Sequence, residues 1–290
     1  MTTAILPAEL LAKLACPLCR GPLRDNDGGG GGDDGDGGLS CASCGAGFAV
    51  VSGVPELFPW RSATPEPEWS RWREKLELLQ QWRVQTWDRS PRAEALHGVV
   101  ADLSRSFFEL LGAPLGATVL EIGCGDGNMR RHLPGRLYWG IDPLPLPPAP
   151  GDAGVFLRGV GERLPLANGS FDLVLLIQTL DHSFDPVAVL SEARRVLRDG
   201  GLLGIMQSLH HPAPPPPLIT RLRSSLSRMR RRLTGRTRID DSDTKTNPLG
   251  RDELLALLEN GFHIGQTVSA GDVLMATATR RATGAGTSAR

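Results

Sequence analysis

The sequence has no excess of charge of either sign and no long apolar run. Its 32 basic and 32 acidic residues give a formal net charge of zero over 290 residues. We therefore expect no global attraction to nucleic acid, and any such attraction must come from a local patch. No apolar run approaches the roughly 20 residues of a membrane span, and the first residues lack the basic start and apolar core of a secretory signal. These absences predict a cytoplasmic protein with no integral membrane contact.

Cysteine is also scarce, and four of the five cysteines form two pairs. Cys16 with Cys19 and Cys41 with Cys44 each enclose two residues, and the pairs lie twenty-one residues apart. This is the ligand spacing of a tetrahedral zinc ribbon. Disulfides are the alternative, which a reducing cytosol disfavours. Four protein ligands leave no open position for water, so we predict a structural zinc ion, with Cys124 as a buried small residue outside the site.

Residues 119–127 form an apolar strand that opens directly into a loop with three glycines and then a helix. Glycine lets the backbone turn tightly and approach a ligand that any Cβ would exclude. Nineteen residues after Gly123, Asp142 ends a second apolar strand, where its carboxylate can accept hydrogen bonds from both ribose hydroxyls. The pattern predicts the site of a nucleotide-like cofactor.

A dinucleotide such as NAD is the rival cofactor for this loop. Its Gly-x-Gly-x-x-Gly pattern requires glycine at position 128, where the sequence has Asn128. An acid, Glu121, also precedes the first glycine by two residues and would repel a pyrophosphate. The same acid suits a cationic amino group or a sulfonium. The glycine spacing and this acid therefore both argue against NAD.

The glycine loop and the blocks that follow it resemble the type 11 branch of class I S-adenosylmethionine-dependent methyltransferases. The blocks are residues 121–127, Asp142, 159–166, 169–177 and 190–203. The resemblance covers about residues 118–207, and residues 253–280 show a weaker similarity. It implies an α/β fold with a Rossmann-like, seven-stranded, mostly parallel sheet, whose last hairpin pairs residues 262–270 with 273–279 in antiparallel fashion.

The resemblance also implies S-adenosylmethionine as the cofactor and assigns residues to it. Glu121 would hold the amino end of the methionine, and Asp142 would hold the ribose. Relatives often carry an acid where Val160 stands, so Glu162 would replace it against the adenine amino group. The other cofactor positions that the resemblance implies are Gly123, Gly125, Gly161 and Gln178.

Methyl transfer to a hydroxyl needs a base beside the reacting methyl, at the carboxyl ends of the strands. A buried strand predicted at 173–180 ends in Asp181 and His182. We therefore predict His182 as the base, with a hydrogen-bonded structural histidine as the alternative. Asp181 either orients His182 or caps the following helix. His210 and His211 follow the fifth strand without an obvious orienting carboxylate.

Five of the six tryptophans fall between residues 60 and 87. Apolar residues recur there at steps of three or four and form one helix face, namely Trp69, Trp72, Leu76, Leu79 and Trp82. This helix either packs the ribbon onto the core or covers the substrate site as an aromatic lid. A second helix is predicted at about 92–111. Residues 221–238 hold eight arginines and no acid, a pattern typical of a helix that docks on RNA, a membrane surface or an acidic substrate, or that only faces water.

The sequence thus predicts four segments. They are a zinc ribbon at 1–58, a helical linker or lid at 59–91, a class I methyltransferase domain at 92–280 with a basic insertion at 211–245, and a disordered tail at 281–290. The ribbon resembles the small activator proteins that partner tRNA and translation-factor methyltransferases.

Three functions remain open from the sequence. The favoured one is O-methylation of a small metabolite or saccharide, because type 11 relatives mostly modify small molecules. The first alternative is an RNA base methyltransferase that uses the ribbon and the arginine-rich segment. The second is a non-catalytic partner module whose ribbon stabilises another enzyme.

Overall fold

The computed structural model describes residues 7–26, 38–60, 67–86, 102–114, 116–144, 154–210 and 245–281. The arginine-rich segment 221–238, His211 and residues 92–101 of the predicted second helix lie outside these ranges. Within them, no helix combines the length and the apolar character that a membrane crossing requires.

The N-terminal part of the chain forms a small antiparallel sheet. Its elements are α1 (Ala8–Leu11), β1 (Leu23–Asn26), β2 (Gly38–Cys41), β3 (Gly47–Val51) and β4 (Val54–Pro55). The strands pair in the order β1-β2-β3-β4. The two cysteine pairs lie on the turns that flank β1 and β2, as a zinc ribbon requires.

A seven-stranded sheet forms the centre of the molecule. Its strands are β5 (Thr118–Ile122), β6 (Leu137–Asp142), β7 (Gly154–Arg158), β8 (Phe171–Ile177), β9 (Leu197–Ser208), β10 (Phe262–Ala270) and β11 (Val273–Arg280). They lie in the order β10-β11-β9-β8-β5-β6-β7, with β11 antiparallel to both neighbours and the other pairs parallel. The Rossmann-like α/β fold and the antiparallel last hairpin are therefore confirmed.

The central strands are apolar on both faces because helices cover a parallel sheet from both sides. The remaining α-helices among the described residues are α2 (Pro67–Thr86), α3 (102–111), α4 (Pro186–Val196) and α5 (Arg251–Glu259). Asp185 caps α4, since its Oδ1 accepts a hydrogen bond from Ala188 N at 3.0 Å and Pro186 follows it. The capping role that the sequence left open for Asp181 therefore belongs to Asp185.

Two predicted elements differ from those observed. The glycine loop leads into a short 3₁₀ helix, Asn128–His132, rather than a full α-helix, because Pro134 and Gly135 follow at once. The strand predicted at 173–180 ends at Ile177. Gln178 has a φ of 53°, so its backbone leaves the extended conformation there.

The small sheet packs directly against the large one. Leu39 and Leu57 are fully buried in the same apolar cluster as the central strands. Leu57 N donates to Arg158 O at 2.8 Å, and Ala15 N donates to Pro165 O at 2.9 Å. The segment after β4 thereby adds a short parallel bridge beside β7. The ribbon is thus part of one continuous core with the large domain.

Helix α2 packs against the last described residues of the ribbon and against the loop after β8. Trp72 meets Phe184 edge to face, with ring centroids 5.0 Å apart, and Trp69 lies 6.0 Å from Trp60. Trp72 and Val160 are buried in a cluster of their own. The helix therefore contacts both the end of the ribbon and the loops that follow β7 and β8, and its role as a lid over a substrate stays a prediction.

Candidate active site

The glycine loop after β5 folds back over the end of β6. Gly123, Gly125 and Gly127 have φ values of 73°, 56° and 69°, a region that side chains rarely occupy. Gly123 N donates to Ile141 O at 2.8 Å. A Cβ on Gly123 would lie 2.5 Å from Oγ1 of Thr179. The loop therefore needs glycine at all three positions for its turns, and at Gly123 also for its close approach to Thr179 after β8.

Asp142 holds this loop in place from the end of the neighbouring strand. Its Oδ2 accepts a hydrogen bond from Gly125 N at 2.9 Å, and its Oδ1 accepts one from Leu144 N at 2.9 Å. A carboxylate oxygen can accept more than one hydrogen bond. Asp142 can therefore fix the loop and still receive further donors from a ligand.

Glu121 is a buried acid on β5, 2% exposed, directly beneath the loop. Burial raises its pKa to about 8, and the nearby Asp126 and Asp142 act in the same direction. The hydroxyl of Tyr138 donates to Glu121 Oε2 at 2.5 Å and partly opposes this rise. A cation placed here would stabilise the ionised carboxylate, as the sequence anticipated for an amino group.

Glu162 contacts the loop after β8, and Gln178 contacts the end of β9. Glu162 Oε1 accepts from Phe184 N at 2.9 Å, while burial raises its pKa. Its Oε2 is buried without a hydrogen-bond partner among the described residues. Gln178 Oε1 accepts from Ser208 N at 3.0 Å and so joins the ends of β8 and β9. Glu162 retains one oxygen for a ligand, and the cofactor roles of Glu162, Gly161 and Gln178 stay predictions.

Asp181 and His182 lie side by side on a 3₁₀ turn after β8, Leu180–His182. His182 Nε2 is 3.8 Å from Asp181 Oδ1, which is longer than a hydrogen bond. Asp181 Oδ2 instead forms an ion pair with Lys245 Nζ at 3.1 Å. The predicted base and its acid are thus adjacent, and the orienting hydrogen bond between them is not formed at this distance.

Lys75 on α2 is a site residue that the sequence reading missed. It is 7% exposed, and its ammonium donates to His182 O and Thr246 Oγ1. Burial lowers its pKa to about 8, against the opposing effect of Glu162 and Asp181. Lys75 lies three residues after Trp72, on the same helix face. A lysine on an otherwise apolar face was the signal that could have identified it.

The four paired cysteines form a candidate metal centre in the ribbon. Their Sγ atoms all lie within 4.8 Å of one another, with Cys16 and Cys44 at 3.7 Å and Cys19 and Cys41 at 3.4 Å. Tetrahedral zinc with bonds of about 2.3 Å places its sulfur ligands about 3.8 Å apart. Backbone amides also donate to two of the sulfurs, at 3.4 Å each. The donor set and its spacing fit a structural zinc ion, and the distances exclude disulfides.

Two family models match this chain. Residues 120–205 match the methyltransferase domain, and residues 8–53 match the Trm112p-like proteins. An uncharacterized methyltransferase of Mycobacterium sp. (strain KMS) is 35% identical over 116 residues, which cover 38% of this chain and 45% of the relative. One from Mycobacterium avium (strain 104) is 31% identical over 140 residues, or 44% and 54% of the two chains. The chain thus spans about half the length of these curated relatives.

Solved structures share the fold at low sequence identity. A chain from the complex of the Haloferax volcanii Trm112 methyltransferase activator with its proposed methyltransferase gives a TM-score of 0.52 at 17% identity, over 69% of this chain and 97% of the other. The 1,6-didemethyltoxoflavin-N1-methyltransferase of Burkholderia thailandensis gives 0.53 at 16% identity, over 81% and 95%. These matches concern the fold alone.

Proposed function

We propose that this chain, in which a Trm112p-like zinc ribbon precedes a methyltransferase domain, transfers the methyl group of S-adenosylmethionine to an oxygen of a small metabolite or saccharide. The observation that carries the proposal is the arrangement at the ends of β5 and β6. There a three-glycine loop is held by Asp142 and lies above the buried acid Glu121. This arrangement offers a carboxylate for a ribose and another for an amino group.

The residues at this edge fit the cofactor on two observations. A Cβ on Gly125 would enter open space beside the loop, where it would meet no described residue beyond its neighbours in the chain, and the buried Oε2 of Glu162 lacks a partner among the described residues. When bound, S-adenosylmethionine supplies a methyl group on an already activated sulfonium. The protein therefore has to hold, orient and enclose the reactants, which can lower the barrier by roughly 7 to 11 kcal/mol where geometry is ideal.

The acceptor side is formed by the loop after β8 and by helix α2. Trp72 and Lys75 of α2 pack against Phe184 and His182, so the helix covers this loop directly. A covered, aromatic site of this kind suits a small molecule, because α2 would have to move aside for a folded RNA. We propose that His182 removes the proton from the acceptor hydroxyl and that Asp181 orients its ring.

The alternative of a non-catalytic partner module has less support. Leu39 and Leu57 of the ribbon are buried in the core of the same chain, so this face is not free to stabilise another enzyme. The RNA alternative keeps the support of the arginine-rich sequence at 221–238.

Isothermal titration with S-adenosylhomocysteine and NAD tests the cofactor assignment. We expect S-adenosylhomocysteine to bind and NAD not to bind. Asp142→Asn should weaken binding by at least about tenfold, because charge-assisted hydrogen bonds contribute about 1.5 to 3 kcal/mol each. The matched control is Asp252→Asn, which changes an exposed acid on α5. Tight NAD binding without S-adenosylhomocysteine binding would overturn the proposal.

A further inference from the structure

The turn after β7 is attached to the first cysteine pair of the ribbon. This cofactor turn, residues 160–164, carries Gly161 and Glu162, both predicted to contact S-adenosylmethionine. Arg163 of the same turn donates from Nε to Pro17 O at 2.8 Å and from Nη2 to Leu18 O at 3.0 Å. Both carbonyls lie between the two cysteines of the first pair. The turn and the metal knuckle, residues 16–21, are therefore in direct contact.

Glu192 on α4 makes a second connection between the same two segments. Its carboxylate is 6% exposed and accepts two hydrogen bonds from the guanidinium of Arg20, at 3.1 and 2.8 Å. Glu192 Oε2 also accepts from Leu164 N, the last residue of the cofactor turn, at 2.9 Å. Arg195 supplies two further donors. One buried carboxylate thus binds the knuckle, the cofactor turn and its own helix at once.

Arg20 reaches Glu192 only from the folded knuckle. It directly follows Cys19 and has a φ of 65°, a left-handed conformation that costs free energy for a residue with a Cβ. The turn that imposes it is the one in which Gly21 N donates to Cys19 Sγ. Small cysteine ribbons depend on their metal for folding. The position of Arg20, and through it the partnering of Glu192, therefore depends on the metal centre.

We propose that Glu192 is a positioning residue for the cofactor turn and that, through Arg20, it couples metal loading of the ribbon to cofactor binding. This inference rests on the proposed function, in which the ligand of the turn is S-adenosylmethionine. A loaded knuckle holds Arg20 on Glu192, and Glu192 holds Leu164 and the turn that ends there. Since such coupling is reciprocal, cofactor binding strengthens metal binding by the same factor.

The coupling differs from simple docking of the ribbon, because other contacts maintain the docking. Two of these contacts lie apart from Glu192. They are the hydrogen bond from Leu57 N to Arg158 O and the ion pair of Arg158 with Glu56. Glu192→Gln should therefore keep the ribbon folded and in place. It removes the charge that pairs with Arg20 and, since an amide has a single acceptor oxygen, it also removes one of the two acceptors.

The experiment uses the full chain loaded with zinc, as wild type, Glu192→Gln and the control Glu259→Gln, an exposed acid on α5. Titration calorimetry measures S-adenosylhomocysteine affinity. Competition with a chromogenic chelator measures zinc affinity with and without that ligand. We expect the ligand to tighten zinc binding about tenfold in wild type and control, within the usual range of coupling. Glu192→Gln should bring this factor well below the wild-type value, with a remainder from the contacts of Arg163 with Pro17 O and Leu18 O, and should weaken ligand binding severalfold at full zinc content.

Arg20→Lys provides a second variant, which keeps the charge and loses the two-pronged hydrogen bond. We expect its coupling factor to lie between wild type and Glu192→Gln. If Glu192→Gln lowers only the melting temperature while both affinities and the coupling factor stay at wild-type values, Glu192 is purely structural and the inference is wrong. If zinc-loaded wild type binds no S-adenosylhomocysteine, the proposed function fails and the inference falls with it.

Discussion

Glu121 links the sequence motif to a measurable pH dependence. Burial raises the pKa of its carboxyl to about 8 in the folded protein, whereas the ordinary value is 4.5. Between these values the folded protein holds a proton that the unfolded chain has released. Folding stability without cofactor should therefore fall as the pH rises from about 5 to 8, by a few kcal/mol at most, since one pKa unit is worth about 1.4 kcal/mol.

Glu121→Gln removes this titration and should make the stability curve less steep over the same interval, while Glu162, whose pKa burial also raises, keeps part of the slope. Thermal unfolding at half-unit pH steps measures both proteins. Lys75 does not interfere, because its pKa is lowered from 10.5 to about 8 and it contributes above that window. Parallel curves for the two proteins would contradict the assignment of the slope to Glu121.

His182 is the residue on which the proposed chemistry depends most. Replacing it by Asn should lower kcat by about 100- to 10,000-fold, the usual contribution of a general base. S-adenosylhomocysteine affinity should stay unchanged, because the cofactor residues are elsewhere. Transfer of a tritiated methyl group to a small-molecule extract measures the rate, with the exposed His263→Asn as control. An unchanged rate would leave His182 with a structural role.

At the scale of elements, we expect the fold of the ribbon to depend on its metal. Cys41→Ser removes one of four thiolates and should abolish stoichiometric zinc and loosen the small sheet. Cys124→Ser is the matched control, since Cys124 lies in the glycine loop, far from the other sulfurs in the sequence. Metal analysis of purified protein decides the question. A Cys41→Ser protein that retains zinc and fold would show that the site is misassigned.

The buried ammonium of Lys75 joins helix α2 to the loop after β8, beside the aromatic contact of Trp72 with Phe184. Lys75→Met keeps the length of the side chain and removes the charge that Glu162 and Asp181 face. We expect the free energy of unfolding to fall by about 1 to 3 kcal/mol, because the groups that Lys75 contacts lose their hydrogen-bond donor. Amide hydrogen exchange should become faster in α2 and at residues 180–184.

The exposed Glu74→Gln on the same helix is the control for this variant. Unchanged exchange in α2 after Lys75→Met would show that the aromatic contacts of Trp72 alone hold the helix.

At the scale of the whole molecule, the net charge bears on whether the methyl acceptor is a small molecule or RNA. With a formal charge of zero, we expect no tight binding to total tRNA or ribosomal RNA. Fluorescence titration between about 50 and 200 mM salt tests this, because six or more phosphate contacts would lose on the order of a thousandfold in affinity. Submicromolar binding that disappears when the arginines of 221–238 become glutamines would favour the RNA alternative.

The sequence alone determined the architecture and the location of the candidate site. The strand and glycine loop at 119–127, the acid at Asp142 and the antiparallel last hairpin are all encoded in short segments. So are the two cysteine pairs, whose sulfurs meet as their spacing indicates. These features could be read because each depends on local backbone preferences or on a motif of a few residues.

The tertiary structure alone decided how the parts act on one another. Nothing near Glu192 in the sequence indicates Arg20, which lies 172 positions away, and Lys75 is separated from His182 by 107. The docking of Leu57 beside β7 is equally remote from any local pattern. Such contacts arise only when the ribbon, α2 and the large sheet pack together. Their partners are selected by the shape and burial of the assembled core, and these are properties that no single segment carries.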